Sequence, residues 1–307
     1  MEISVVVPSY GRPEALALCL AALESQSRPA DEVVVVTRRD DARTRELLAG
    51  YPGLPLAERV VEVPGQVQAL DAGVRAARGD VVAITDDDAA PRPRWLEQLE
   101  RWFSDPTVIG AGGRDAVAGV ALNGGERVVG RVRWCGKVVG NHHLGVGEPR
   151  DVDVLKGANM AFRREPLLAT GFDLRLKGAG AQVHNDLKLS LALRRAGGRL
   201  VYDPGLLVDH MPAPRPQGDD RRHADPRQQV DAVHNETLAL LEYLPPARRT
   251  AFVAWALAVG RDQGPGLAHA AWTAIRRHRG GSLAHLRATL RGRLEGWRTY
   301  RRSAVVA

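Results

Sequence analysis

The chain opens with short apolar runs that alternate with segments of helical periodicity. The apolar runs are unbroken and rich in valine, as strands covered on both faces are, and they lie at residues 3–8, 32–37, 60–63 and 81–85. Between them, apolar residues recur three or four positions apart, which predicts helices from Pro13 onward, over 66–78 and over 94–104. The first hundred residues therefore alternate strand and helix.

This alternation predicts a specific architecture and a place for ligands. Strands joined through helices over short connections form parallel units of a doubly wound α/β sheet. Ligands of such sheets bind beyond the carboxyl ends of the strands. Polar segments follow three of the predicted strands, at residues 8–12, 37–41 and 86–88. We expect these segments to meet in one site.

The rest of the chain predicts a second half and a helical extension. Residues 110–149 are glycine-rich and favour short, partly antiparallel strands, and 212–226 reads as a linker rich in proline and charge. Further strands are predicted at 156–162 and 200–203, and further helices at 164–169, 186–196, 228–243, 248–259, 267–278 and 283–302. We therefore divide the chain into a first half (1–110), a second half of the same domain (111–215) and a helical, basic extension (216–307).

Composition narrows the class of protein. The 307 residues are 44% hydrophobic and 26% charged, which is typical of a globular chain and argues against general disorder. The two cysteines, Cys19 and Cys135, have no zinc or redox spacing, so we expect a reducing compartment. No signal peptide and no apolar stretch of membrane-spanning length is apparent. We expect a cytoplasmic protein, either soluble or peripheral at the inner face of the cell membrane.

The net charge of +7 is concentrated at the end of the chain. From Arg261 onward, ten arginines face only Asp262 and Glu295, so the preceding part is close to neutral. A basic extension on a neutral body indicates an anionic partner for the extension, such as a membrane surface, and no nucleic acid in the core. A merely solvated helix surface is the alternative.

The triplet Asp86-Asp87-Asp88 carries the clearest chemistry. Adjacent carboxylates at a strand end repel one another unless a cation binds, and Mg²⁺ or Mn²⁺ prefers such oxygen ligands together with substrate phosphates. Alternation along an extended segment places Asp86 and Asp88 on one side and Asp87 on the other. A polar strand exit with capping aspartates is the alternative.

Several ordered motifs resemble family-2 glycosyltransferases of the GT-A fold. The resemblance covers residues 3–210. It rests on the opening strand and loop 4–12, the helix and aspartate motif 69–88, the block 157–164 and the segments 171–173, 185–186 and 202–204. The family implies an inverting transfer of one sugar from a nucleotide diphosphate sugar to a hydroxyl acceptor. It also implies that residues 1–110 form the nucleotide-sugar-binding half and residues 111–215 the acceptor-binding half of one GT-A domain.

The resemblance also implies roles for particular residues. Asp186 matches the catalytic base, whose alternative is a plain helix cap. The metal ligands would be Asp86, Asp88 and His210, with Mn²⁺ or Mg²⁺ as the cofactor. The expected donor-binding residues are Pro8, Tyr10, Arg12, Asp40, Asp71 and Asp86. Weaker acceptor-binding candidates are Trp134, His142, His143, Asn159 and Asn185.

Two departures from the family pattern leave specificity open. Arg38 and Arg39 displace the acidic residues expected after the second strand, so UDP, dTDP and GDP donors all remain open. Asn185 stands where the family usually has glutamate, which affects an acceptor contact. No signature of processive synthesis is apparent. We expect transfer of a single sugar in cell-surface glycan, polysaccharide or glycolipid synthesis. The expected hydroxyl acceptors include lipid-linked ones.

Other functions use similar residues. A nucleotidyltransferase also has paired aspartates and a divalent metal, but it normally has a glycine- and lysine-rich phosphate loop, and this chain has four lysines. A glycosidase uses two carboxylates without a nucleotide pocket. A non-catalytic sugar-nucleotide-binding protein is the remaining alternative.

Overall fold

The computed structural model describes residues 1–178, 180–213, 225–277 and 281–306. Its centre is a nine-stranded mixed sheet, and two small hairpins lie outside that sheet. The strands are β1 (Ile3–Pro8), β2 (Glu32–Arg38), β3 (Leu56–Val61), β4 (Val81–Ile84), β5 (Ala89–Pro91), β6 (Val108–Val117), β7 (Arg131–Val132), β8 (Val138–Val139), β9 (Arg150–Asp151), β10 (Met160–Arg163), β11 (Arg199–His210), β12 (Gly260–Arg261) and β13 (Gly264–Pro265).

Helices cover both faces of the sheet and form the end of the chain. They are α1 (Pro13–Glu24), α2 (Ala42–Ala49), α3 (Gln66–Ala76), α4 (Trp95–Phe103), α5 (Arg164–Thr170), α6 (Asn185–Arg195), α7 (Pro226–Tyr243), α8 (Pro246–Ala258), α9 (Leu267–Arg277) and α10 (Gly281–Val306). A 3₁₀ turn occupies His142–Leu144.

The sheet order confirms the mostly parallel α/β fold. The strands run β3-β2-β1-β4-β10-β6-β11-β5, with β9 paired to β11. β1, β2, β3 and β4 pair in parallel, and β6 pairs in parallel with β11. β10 lies antiparallel between β4 and β6 and joins these two parallel groups.

Alternation along β1 supplies both faces of the core. Val5 and Val7 belong to a buried cluster that includes residues of α1 and α4, whereas Val6 belongs to a cluster that includes residues of α3, α6 and α7. This two-sided burial explains why the strand has no polar face beyond Ser4, whose hydroxyl donates to Glu32 at 2.7 Å.

Several boundaries differ from the predicted ones. β3 begins at Leu56, four residues before the predicted start, and β11 continues to His210 because it also pairs with β5. β10 begins at Met160 because a turn closed by Asn159 N and Lys156 O, 2.9 Å apart, precedes it. The sequence pattern missed α2, whose amino-terminal cap is the Asp41 carboxylate accepting from Thr44 N.

The four helices of the predicted extension are present. α7 is buried along most of its length and packs against both α6 and α10. The linker predicted at 212–226 lies mostly outside the described residues. No helix within the described ranges combines the length and the apolar character needed to cross a membrane.

Candidate active site

A possible metal centre forms where β4 and β11 end. Asp86 and Asp88 follow β4, and His210 is the last residue of β11. The ligand atoms of these three side chains all lie within 4.8 Å of one another. Antiparallel pairing of β5 with β11 puts His210 opposite Ala89, and Met211 N donates to the Asp88 carbonyl at 2.9 Å. Backbone pairing therefore brings together residues that are 122 positions apart in sequence.

The electrostatics of this centre favour an ionised Asp88 beside a cationic imidazole. Burial opposes ionisation of Asp88, but His210 and Arg12 lower the pKa of its carboxyl to about 2. Desolvation lowers the pKa of His210, yet hydrogen bonds to Asp115 and Asp88 outweigh it and raise this pKa to about 9. Two carboxylates and an imidazole are a suitable donor set for Mn²⁺ or Mg²⁺, with positions left for phosphate oxygens and water.

Asp87 is not part of this three-residue cluster and instead secures the loop that carries it. Its side chain is fully buried, accepts from Ser9 Oγ at 2.8 Å and forms an ion pair with Arg12. Burial raises the pKa of Asp87 to about 7, against the attraction of the Arg12 guanidinium. Arg12 also reaches Asp88 at 3.0 Å. Arg12, a predicted donor contact, lies in the loop between β1 and α1, here called the first loop. It thus connects this loop to the acidic triplet.

The other donor candidates lie at the end of β1 and in the loop after it (Pro8, Tyr10), in the loop after β2 (Asp40) and on α3 (Asp71). The Arg38 guanidinium lies 3.9 Å from the centre of the Tyr10 ring and forms an ion pair with Asp40. Tyr10 Oη lies 3.4 Å from Asp40 Oδ2. The arginine that departs from the family pattern therefore covers one face of the predicted donor-binding tyrosine. Asp71, on α3, pairs with Arg75 one turn later at 2.8 Å.

A cleft of about 930 Å³ joins the metal centre to the predicted base. Asp86, Asp88 and His210 line it together with Asp186. Gln66 is a lining residue that the sequence did not single out, and its side-chain amide donates to Asp86 Oδ1 at 3.2 Å. One continuous cleft therefore contains both predicted acidic centres.

Asp186 lies in the first turn of α6. The preceding His184 has φ of +73°, a left-handed conformation that few residues other than glycine adopt. This sharp turn directs the chain into the helix, and Asp186 Oδ1 accepts from Leu187 N at 2.8 Å. Strained backbone at such a turn is common beside functional groups.

The acceptor candidates divide into residues inside and outside the cleft. His142 and Asn185 line it. Asn185 Nδ2 donates to the carbonyls of Ala181 and Gln182, at 3.1 and 3.2 Å. His142 is buried, its Nε2 lies 2.9 Å from the Val154 carbonyl, and burial lowers its pKa, so it is a neutral wall residue. The neighbouring His143 is not among the residues that line the cleft, and burial lowers its pKa as well.

Two acceptor candidates have other surroundings. The buried Asn159 side chain accepts from Trp95 Nε1 at 2.8 Å and donates to the Leu206 carbonyl at 2.9 Å, so its amide serves the packing of α4 and β11. Trp134 is 66% exposed in the loop between β7 and β8, and its carbonyl accepts from Arg248. Neither residue is among those that line the cleft.

The cleft also contains cationic residues that the sequence did not assign to it. Lys156 lines it and forms an ion pair with the buried Asp115. Arg261 and Gln263, from the hairpin of β12 and β13, line it as well. Sequence reasoning counted Arg261 only as part of the basic extension, and no local pattern distinguishes it from the other arginines there.

The fold and the site define a glycosyltransferase domain of the GT-A type. A sequence model of the family described as "Glycosyltransferase like family 2" matches residues 2–225, so the chain belongs to that family. Domains of this family catalyse glycosyl transfer. The predicted family and the predicted fold are both confirmed.

Named relatives share parts of the chain. The uncharacterized glycosyltransferase YwdF of Bacillus subtilis is 32% identical over 102 residues, which cover 33% of this chain and 38% of that protein. The glucosyl-dolichyl phosphate glucuronosyltransferase of Haloferax volcanii is 26% identical over 223 residues, which cover 68% of this chain and 69% of that protein. The first match thus spans little more than a third of the Bacillus protein.

Solved structures share the fold. S. aureus TarS, solved with UDP-GlcNAc, has a TM-score of 0.64 and 15% identity and covers 94% of this chain and 79% of its own. The mannosyltransferase PcManGT of Pyrobaculum calidifontis, solved with GDP-Man and Mn²⁺, has a TM-score of 0.56 and 19% identity and covers 97% of this chain and 86% of its own. At these identities the likeness establishes the fold alone.

Proposed function

We propose that this chain is a metal-dependent, inverting glycosyltransferase that moves one sugar from a nucleotide diphosphate sugar to a hydroxyl acceptor. The observation that carries the proposal is the single cleft lined by the Asp86, Asp88 and His210 cluster and by Asp186. An inverting transfer needs a leaving-group site and a proton acceptor in one cleft, and these residues supply both.

The residues divide the chemistry between them. Asp86, Asp88 and His210 would hold the divalent cation, whose charge would offset the negative charge that develops on the departing diphosphate. Asp186 accepts the proton of the acceptor hydroxyl as its oxygen bonds to the anomeric carbon. At the same time the bond from that carbon to the diphosphate oxygen breaks, and its electron pair leaves with the nucleotide. His142 and Asn185 border the acceptor.

We place the nucleotide beside the first loop. Tyr10, with Pro8, offers a wall for the base, and Arg38 and Asp40 restrict the space around it. Arg12 and Asp71 remain donor candidates, Arg12 through the loop that it holds in place. UDP, dTDP and GDP sugars are the candidate donors. The solved neighbours were crystallised with UDP-GlcNAc and GDP-Man, which supports this donor class.

The roles of the two acidic centres can be separated by substitution. We expect Asp88→Asn to abolish the Mn²⁺-dependent thermal shift with UDP, dTDP or GDP, because the cation loses a ligand. Asp186→Asn should retain that shift but lose turnover by about 100-fold or more, since general-base catalysis contributes about 10²- to 10⁴-fold. A coupled assay of nucleotide release with each donor sugar measures the turnover.

The matched control is Asp209→Asn. Asp209 neighbours His210 in β11 but pairs with Arg92 at the surface, at 2.9 Å. Asp209→Asn should leave both the Mn²⁺-dependent thermal shift and the turnover unchanged. Near-normal turnover of Asp186→Asn would refute its role as base, and an unchanged Mn²⁺-dependent shift of Asp88→Asn would refute the metal site.

We further propose that the carboxyl-terminal helices contact an anionic membrane that carries a lipid-linked acceptor. α9 and α10 expose Trp272 (50%), Ile275 (75%), Leu283 (65%) and Trp297 (47%). Arg276 and Arg301 stack on the two tryptophans, at 4.8 and 5.7 Å from the ring centres. Exposed tryptophan and aliphatic side chains beside arginines suit a membrane interface. The Haloferax relative is named for a dolichyl phosphate substrate, which supports this acceptor class.

Vesicle binding tests this contact. We expect the full chain to sediment with vesicles that contain phosphatidylglycerol, and about tenfold less with neutral phosphatidylcholine vesicles, because the arginines need anionic headgroups. Trp272→Ser with Trp297→Ser should weaken the binding, whereas Trp134→Ser, which removes an exposed tryptophan outside these helices, should not. Equal binding to both kinds of vesicle would contradict the proposal.

A further inference from the structure

A hairpin of the carboxyl-terminal extension completes one wall of the cleft. β12 and β13 pair between α8 and α9, and Gly260, with φ of +67°, forms the tight approach to the hairpin. Arg261 and Gln263 of this hairpin line the cleft together with Val138, Gly140 and Val183. The extension is therefore part of the cleft as well as a basic appendage.

The Arg261 guanidinium belongs to a cluster with more cations than anions. Glu236 of α7 accepts from Arg261 at 2.5 Å and from Arg293 of α10 at 2.8 Å. Glu236 and Arg293 are buried, with 3% and 7% exposure. One carboxylate thus faces two guanidinium groups, which do not lose their protons in proteins.

Hydrogen bonding in the cluster is incomplete. Among the described residues, Arg261 Nε finds no acceptor, nor do Nε and Nη2 of Arg293. Arg261 Nη1 reaches the Val138 carbonyl only at 3.4 Å. Buried donors of a charged group normally have partners, because their desolvation is costly otherwise. The Arg261 side chain itself lines the cleft and is 22% exposed, so the surplus positive charge of the cluster can meet a further oxyanion there.

The place of the cluster points to the acceptor side of the cleft. Asn235, which directly precedes Glu236 on α7, donates from Nδ2 to the Val183 carbonyl at 3.0 Å, so the cluster lies by the start of α6. Burial lowers the pKa of His184, which leaves that residue neutral. The metal centre lies instead at the ends of β4 and β11, where Asp88 and Asp115 surround His210. Arg261 is thus associated with the proposed base.

We propose that Arg261 binds an oxyanion, phosphate or carboxylate, on the acceptor and so selects acceptors that carry a negative charge near the attacking hydroxyl. This inference rests on the proposed function, because it assumes that the cleft side of Asp186 receives the acceptor. Arg261 suits the task because a guanidinium presents planar, paired donors to such an oxyanion. Glu236 and Arg293 act as positioning residues that hold it at the cleft wall.

Ligand-observed NMR titrations of the full chain with three sugars test the proposal. Glucose 1-phosphate carries a phosphate, glucuronate a carboxylate and methyl glucoside no charge. Titrations in EDTA prevent binding through the metal centre. We expect a charged sugar to bind about tenfold more tightly than the neutral one, in keeping with hydrogen bonds to a charged group. Tighter binding of glucose 1-phosphate identifies phosphate as the acceptor's anion, and tighter binding of glucuronate identifies carboxylate.

Variants assign the preference to this arginine. Arg261→Gln should remove the preference for charged sugars, and Arg261→Lys should retain part of that preference. Gln263→Glu should also remove it, by placing a competing carboxylate at the same wall, and it keeps the proposal testable if Arg261→Gln does not fold. Arg291→Gln is the matched control, because Arg291 is 72% exposed on α10 and pairs with Glu295. It should behave as the unaltered chain.

The outcome is independent of the donor site. Mn²⁺-dependent nucleotide binding, measured separately, should be the same in all four variants, and its absence from the unaltered chain would count against the proposed function instead. Equal or undetectable binding of charged and neutral sugars overturns the acceptor inference. So does a preference that persists in both Arg261→Gln and Gln263→Glu.

Discussion

His210 links the electrostatics of the cleft to its proposed metal chemistry. Its imidazole lies 3.4 Å from Asp88 and 3.5 Å from Asp115, and these carboxylates favour its protonated form. A metal ion needs the neutral imidazole, so the cation and a proton compete for the same residue. The cluster can thus retain a positive charge between its carboxylates whether or not a cation is bound.

This competition predicts a pH-dependent metal affinity. Because the pKa of His210 is raised to about 9, binding of Mn²⁺ below that pH must release one proton. We expect the affinity to rise about tenfold per pH unit between pH 6 and 8, one proton being released per ion. Calorimetric titration with Mn²⁺ at pH 6, 7 and 8 measures it.

A matched variant isolates the histidine. His210→Asn should bind Mn²⁺ more weakly at pH 8 and with little pH dependence, because it has no proton to release. An affinity of the unaltered chain that stays constant from pH 6 to 8 would show that His210 does not ligate the ion.

At the scale of elements, buried charge joins α6 to α7. Lys188 of α6 is 3% exposed and pairs with Asp173 at 3.0 Å and with Glu242 of α7. Arg175 also pairs with both carboxylates, at 2.6 and 2.9 Å. This network attaches the carboxyl-terminal helices to the helix that carries Asp186, so the extension and the proposed base share one support.

Loss of the lysine should destabilise the fold. Lys188→Met leaves two carboxylates close together, and breaking a buried pair typically costs about 3–5 kcal/mol. We expect the free energy of unfolding to fall by about 2 kcal/mol, less than for a fully broken pair, because Arg175 still pairs with both carboxylates. Urea denaturation measures the change.

The control is a more exposed ion pair of the same region. Lys177 is 40% exposed and pairs with Glu295 at 2.7 Å, so Lys177→Met should cost less than about 1 kcal/mol. Equal losses in the two variants would contradict the importance of the buried network.

For the whole molecule, the response to acid depends on buried carboxylates in two parts of the chain, Asp173 in residues 111–215 and Glu236 in the extension. Asp173 and Glu236 are both ionised in the fold. Burial opposes this, but Arg175 and Lys188 for Asp173, and Arg293 and Arg261 for Glu236, lower the pKa of each carboxyl to about 2. Each therefore contributes stability that depends on pH.

The sign of that dependence follows from the lowered pKa values. Both groups stabilise the fold fully above their ordinary values of 3.8 and 4.5, and this contribution is lost as the pH falls towards 2. We expect Tm to fall over this range. Calorimetry from pH 7 to pH 2.5 measures it.

Glu236→Gln provides the comparison. It should lower Tm at pH 7, because two guanidinium groups lose their carboxylate, and it should flatten the curve below pH 4.5. A variant whose Tm falls as steeply with acid as that of the unaltered chain would place the acid sensitivity elsewhere.

The sequence by itself determined the local elements and one half of the chemistry. The valine runs of β1 and β2 predict buried parallel strands because such strands need apolar residues on both faces. The alternation through Asp86, Asp87 and Asp88 predicts that the middle carboxylate turns away, and Asp87 is indeed buried against Ser9. These features depend on neighbours a few residues away, which a periodicity reports directly.

Tertiary structure alone decided which distant residues share the cleft. Pairing of β5 with β11 brings His210 to Asp88, and packing of α7 and α10 places Arg261 at the cleft wall. Asn159 directly precedes β10 and was an acceptor candidate, yet its side-chain amide forms hydrogen bonds with Trp95 and with the Leu206 carbonyl in the core. Strand pairing joins residues that are more than a hundred positions apart in sequence. No local pattern encodes which arginine of the basic extension lies beside the start of α6.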